Sequence, residues 1–171
     1  MKRTIMPLAI AVAVLGFASG ASAQETATAT ATATIVTPIS ITKTVDMNFG
    51  NVAVQSTTGG TVVISTAGVR SATGGVTLPA TGGTVSAASF TINGQGTYTY
   101  AITLPSSDVS LSDGASHTMT VNTFTSNPSG TGQLTAGTQT LKVGATLNVA
   151  AAQAAGVYVS GTPFSVTVNY N

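Results

Sequence analysis

The sequence predicts an all-β protein, an antiparallel β-sandwich of about eight or nine strands with an extended N-terminal arm. Apolar residues recur at every second position through several windows, the pattern of a strand with one buried face. Glycine pairs and Asn-Gly or Asn-Pro steps separate these windows at intervals that suit a sandwich, not alternating strands and helices. The single helical candidate, residues 150–155, is too short to stand alone and reads as one turn covering an end of the sandwich.

Residues 1–23 read as a secretory signal peptide. Lys2 and Arg3 precede an apolar stretch over residues 5–18, and Ala21-Ser22-Ala23 supplies the small-x-small pattern that signal peptidase cuts after. The stretch is shorter than the roughly 20 residues a membrane span needs, and no comparable run follows. The expectation is export through the Sec pathway to the periplasm, cell surface or medium, without a transmembrane segment after cleavage. Residues 24–37 then form a Thr/Ala-rich arm and residues 38–171 one sandwich domain.

From residue 27 to residue 49 the odd positions are apolar, and only Thr37 and Lys43 break the row on that side. Pro38 cannot donate a ladder hydrogen bond, so the run divides into an arm strand over residues 26–36 and a domain strand from about Ile39. Residues 61–65 and 76–78 are short β-branched or apolar runs, and residues 84–92 lead into Asn93-Gly94, a hairpin signal. Residues 97–104 place Tyr98, Tyr100, Ile102 and Leu104 on one face. Residues 118–124 form another strand, with Phe124 out of phase. Residues 140–149 keep strict phase through Leu141, Val143, Ala145, Leu147 and Val149, and residues 164–170 close the chain.

Only 5% of the residues are charged, and Thr, Ser and Gly stand where charges usually do. After loss of Lys2 and Arg3, Lys43, Arg70 and Lys142 face Glu25, Asp46, Asp108 and Asp113, so the mature chain turns slightly acidic. Nucleic-acid binding needs clustered cations to neutralise phosphates, and this sequence has none. With no cysteine, stability rests on burial and backbone pairing.

No residue set points to catalysis or to a cofactor. His117 lies four residues after Asp113 among several serines, but no nucleophile turn or oxyanion hole accompanies them, and it reads as a solvated loop histidine. Asp108 and Asp113 lack the further oxygen ligands a calcium site requires. Tyr158, close to Gly156, suits a corner tyrosine whose hydroxyl ties a connection to the sheet.

Several stretches, in this order and spacing, resemble a bacterial exported family, domain of unknown function 4402. They are Met47-Asn48-Phe49-Gly50, residues 88–93 before Gly94, residues 98–105, Val143-Gly144-Ala145-Thr146-Leu147, Gly156-Val157-Tyr158, and the run containing Val166, Val168 and Tyr170. The chain is more distantly similar to spore-coat-U-like and archaic chaperone-usher pilin subunits, although it lacks their usual disulfide. That resemblance implies an immunoglobulin-like sandwich completed by a neighbour's N-terminal strand. It implies no catalytic residue.

The arm has two readings. Ala27, Ala29, Ala31, Ala33 and Ile35 could be the inward row of a donor strand that enters a groove in the next subunit. The tract could equally be a low-complexity spacer, or the outer part of the domain's own first strand. The final strand could likewise be an open edge that templates pairing, or could sit between two others. The expected role is a non-enzymatic exported structural protein that self-associates or joins related surface subunits, in the manner of a pilin. A periplasmic chaperone and an outer-membrane usher are the further partners that the resemblance implies. The alternative is a monomeric surface adhesin or binding module for glycans or proteins.

Overall fold

A computed structural model of the chain describes residues 24–171; the expected signal segment, residues 1–23, lies outside the described residues. Thirteen strands follow one another, with no helix among the described residues. The first are β1 (Ser40–Val45), β2 (Ala53–Val54), β3 (Gly60–Ile64), β4 (Arg70–Gly74) and β5 (Val76–Thr77). Next come β6 (Ala88–Asn93), β7 (Thr99–Thr103), β8 (Val109–Ser112) and β9 (Thr118–Asn127). The last are β10 (Thr131–Gln133), β11 (Thr138–Val149), β12 (Val159–Ser160) and β13 (Thr167–Tyr170).

All pairings between these strands are antiparallel. The main sheet runs β1-β6-β11-β9-β8-β12, with β3 also on β11 and β4 on β3. Smaller sheets are β10-β7-β13 and β2-β5. The spine is β11, whose first half pairs with β6 and whose second half pairs with β3 along the same edge, while β9 takes the other edge. Its strict alternation explains this position, because a strand with both edges bonded can place an unbroken apolar row on one face. Leu141, Val143, Ala145, Leu147 and Val149 are all buried.

That row feeds two cores. In the lower one Leu141 and Val143 pack with Phe90 and Ile92 of β6 and with Tyr100, Leu134 and Val168 from the β10-β7-β13 side. In the upper one Ala145, Leu147 and Val149 pack with Val62, Ile64, Val121, Val76 and Phe49. Tyr100 is fully buried, so its hydroxyl needs a partner and donates to Gln139 Oε1 at 2.6 Å. Burial pushes its phenol pKa up.

Several expectations change. Residues 24–39 carry no strand, so the arm does not prolong β1, which begins at Ser40. The segment 150–155 is a turn without helix. Asn93-Gly94 does not close a hairpin: β6 belongs to the main sheet and β7 to the smaller one, so the step is a crossover between layers. The apolar side chains of both flanking strands face the lower core from opposite sides, and that outweighs the local turn preference. Phe124 is out of phase because β9 bulges: Gly144 pairs with Thr125 and Thr146 with Asn122, so β9 holds one residue more than β11 across that interval. Thr123, at φ 52°, sits in the bulge, and Val121 and Phe124 both reach the core side. The closing strand is shorter than residues 164–170 and starts at Thr167. The strand count rises because β2, β5, β10 and β12 are two or three residues long and too short to show a period.

Leu141 has no exposed surface and stands where the spine meets the lower core. Leu141→Ala should lower unfolding stability by about 2–5 kcal/mol, read as a shifted urea midpoint with an unchanged slope. A loss below about 1 kcal/mol would contradict this packing.

Candidate functional site

The described residues from Ile35 to Asn171 form a single compact unit. β1 pairs with β6 alone and β13 with β7 alone, so each keeps an unpaired edge. The core-facing residues of β1 show the consequence. Ile41, opposite Ile92, is only half-buried, and Lys43, opposite the core residue Phe90, is exposed and reaches Asp46 Oδ1 at 2.6 Å. An ion pair this exposed contributes little stability.

A trough of about 950 Å³ begins at Asp46, directly after β1, and reaches Phe164, ahead of β13. Its floor is the core face of the main sheet, where Val121, Leu147 and Val149 lie beneath it. One wall is the segment from Asp46 to Val54, and the other runs from Gln153 to Ser160, with Phe164 beyond. Its lining mixes apolar and polar surface in comparable amounts.

Both walls are held by polar bonds that the apolar side chains could not supply. Asn48 Oδ1 accepts the Gly50 amide at 2.8 Å, and Gly50 turns the chain at φ 67°, a left-handed conformation that glycine adopts without strain. The Arg70 guanidinium donates to the carbonyls of Phe49 at 2.6 Å and Asn51 at 2.8 Å, and Asn48 bridges to Ser86 across both backbone groups. In the opposite wall the Tyr158 hydroxyl donates to the Ala154 carbonyl at 2.8 Å and accepts from Gln153 Nε2 at 2.9 Å. Gln153 Nε2 also reaches the Thr118 carbonyl, and β12 anchors the wall on β8.

Behind this wall sits the β8–β9 turn. Asp113 Oδ2 lies 2.6 Å from His117 Nδ1, Asp113 Oδ1 accepts the Ala115 amide at 2.9 Å, and a Cβ placed on Gly156 would come within 3.4 Å of Asp113 Cβ. The hydrogen bond from His117, followed by that from the Ala115 amide, holds the Asp113 carboxyl below its usual range. This is a brace for the turn. The contacts of the His117 ring run to Asp113, and no serine hydroxyl bonds it among the described residues.

The residues singled out in the sequence are spread over the trough, the lower core, β11, the end of β13 and the arm. Phe49, Gly50, Gly156 and Tyr158 come together at the trough. Val166 and Val168 pack in the lower core, Gly144 lies in β11, and Tyr170 meets Gly94 at the far end of β13. Ala27, Ala29, Ala31 and Ala33 are exposed and outside any strand, and Ile35 is 94% exposed. Sequence reasoning missed Arg70 and Gln153. Arg70 could have been flagged as a lone cation in a long uncharged stretch, whereas Gln153 carried no signal.

Among the described residues no group of three or more His, Asp or Glu side chains is placed to hold a metal ion, and no helix is long and apolar enough to cross a membrane. Residues 39–170 match the family described as Domain of unknown function (DUF4402). No curated protein and no solved structure matches the chain.

The Asp113 brace gives a pH dependence of definite sign. The folded pKa lies below the unfolded value of about 3.9, so the contribution is complete above that value and is lost as pH falls below it through the lowered folded value. Melting temperatures of the wild type and Asp113→Asn, taken from about pH 5 down to about pH 2, should converge toward the acid end. Parallel curves over that range would contradict the assignment.

Proposed function

We propose that this chain, which belongs to the DUF4402 family, is an exported, non-enzymatic subunit that self-associates at the cell surface, the arm of one copy lying as an added strand in the trough of the next. What supports the reading is the open trough between residues 46–54 and 153–160, together with the unpaired edges of β1 and β13. An unpaired edge offers a row of N–H and C=O groups, and an extended peptide satisfies them while its alternate side chains fill the pockets beside them. The arm has that alternation from Ala27 to Ile35 and is free of charge beyond Glu25. Such an arrangement corresponds to the immunoglobulin-like sandwich short of one strand that the likeness to pilin subunits implies.

Magnitudes decide which arm residues matter. Four alanine methyls bring about 3 kcal/mol at ~0.8 kcal/mol each, while Ile35 alone brings about 1.5–3 kcal/mol. Association costs at least about 4 kcal/mol before any of this counts. Ile35 is therefore the anchor, and main-chain pairing supplies the surplus. A free subunit with such a trough is also prone to wrong partners. A periplasmic chaperone and an outer-membrane usher would meet that hazard.

The test is size exclusion with light scattering, alongside electron microscopy of the mature chain. Deleting residues 25–34 should abolish oligomers and leave a folded domain. Ile35→Ala should weaken assembly about tenfold or more without lowering the melting temperature, because Ile35 is 94% exposed in the single chain. Unchanged assembly after the deletion overturns the reading. A strict monomer from the intact chain favours a monomeric surface adhesin instead.

A further inference from the structure

Residues 24–34 are exposed throughout and join no strand. Such a segment is where proteases act, because its backbone fits an enzyme cleft without prior unfolding. The composition of the arm narrows that hazard. Residues 24–42 contain no Lys, Arg or aromatic side chain, so proteases that select a basic or aromatic residue find none before Lys43. At the inner end Pro38 supplies a bond whose nitrogen carries no hydrogen, which broad-specificity aminopeptidases leave intact. The route still open is the N-terminal end, where an aminopeptidase would remove Gln24, Glu25 and the Thr-Ala repeats one by one.

That end carries its own chemistry. Ala21-Ser22-Ala23 directs cleavage to the bond before Gln24, so the amine released there belongs to a glutamine. Attack by this α-amine on its own side-chain carbonyl carbon, Cδ, closes a five-membered ring; asparagine in that place would need a strained four-membered one. The amine nitrogen bonds Cδ, the Cδ–Nε2 bond breaks, and Nε2 leaves as ammonia with the proton that the amine gives up. No oxidant, metal or second substrate takes part. Because Gln24 is exposed and outside every strand, its side chain can fold back on its own nitrogen without giving up a packed or paired position.

We infer that Gln24, once released, closes to a pyroglutamyl cap that shuts the end of the arm to aminopeptidases. The cap presupposes cleavage after Ala23 and so rests on the export reading above; it does not depend on what the arm binds. It also removes the positive charge that processing creates, which leaves Glu25 as the only charge in residues 24–42.

The test is the intact mass and terminal sequence of the protein exported by a bacterium that makes the full precursor. The chain should begin at Gln24 and weigh one ammonia less than residues 24–171 as encoded. Its terminus should resist sequencing until pyroglutamyl peptidase removes the ring. Incubated with a broad-specificity aminopeptidase, the wild type should keep its arm. Gln24→Ser, which keeps a small residue after the cleavage site but cannot cyclise, should be trimmed back to Thr37, its arm being lost at least about tenfold faster.

A chain that begins at Gln24 with its full mass and is trimmed like the variant overturns the cap while leaving export intact. A chain that begins elsewhere, or that keeps residues 1–23, overturns the cap together with the cleavage reading. An arm that survives equally well in Gln24→Ser overturns the protective role.

Discussion

Every layer of the protein depends on the register of β11. One strand supplies Leu141 and Val143 to the lower core and Ala145, Leu147 and Val149 to the upper one, and it bonds β6 and β3 along one edge and β9 along the other. Because side chains alternate with period two, a slip of one residue would turn all five to the outer face and empty both cores together. The bulge in β9 is what lets its neighbour follow this strand: with one extra residue near Thr123, Val121 serves the upper core and Phe124 still reaches inward. The bulge therefore accommodates β9 to a spine that tolerates no shift.

A spine that feeds two cores needs cover at both, and the cover is uneven. The β10-β7-β13 sheet caps the lower core, while the upper core has only the two-residue strands β2 and β5 on that side. The trough is what remains uncovered. Its walls stay in place through Arg70, Asn48, Gln153 and Tyr158, which bond mostly to backbone carbonyls and amides and not to opposite charges. This use of neutral polar groups matches a chain with 5% charged residues, whose surface resists close approach by another copy far less than a charged one would.

How much of this was legible in the sequence follows from where each element lies. The β11 row could be read directly, since both neighbours bury the same face and the period survives for twelve residues. The all-β class was legible for similar reasons, whereas the sequence left the final strand either open or enclosed, and only the pairing of β13 with β7 alone decides between them. Asn93-Gly94 misled because local turn chemistry cannot tell a hairpin from a step between layers; the difference lies in Tyr170, seventy-six residues downstream of Gly94, whose hydroxyl occupies the space beside it. The arm misled in another way. Its alternation is real, but a strand needs a partner, and residues 24–39 join no strand ladder among the described residues. Arg70 stayed hidden because its partners are backbone carbonyls, which carry no residue-specific signal.

The central claim is that the arm and the unpaired strand edges are two halves of one sheet, brought together only by assembly. Amide hydrogen exchange on the mature chain at low and high concentration tests it most directly. The account predicts that arm amides between Ala27 and Val36, together with unpaired amides of β13 or β1, exchange freely in the dilute protein and become protected together on assembly. Arm amides that exchange at the unfolded-chain rate in the assembled protein would contradict it.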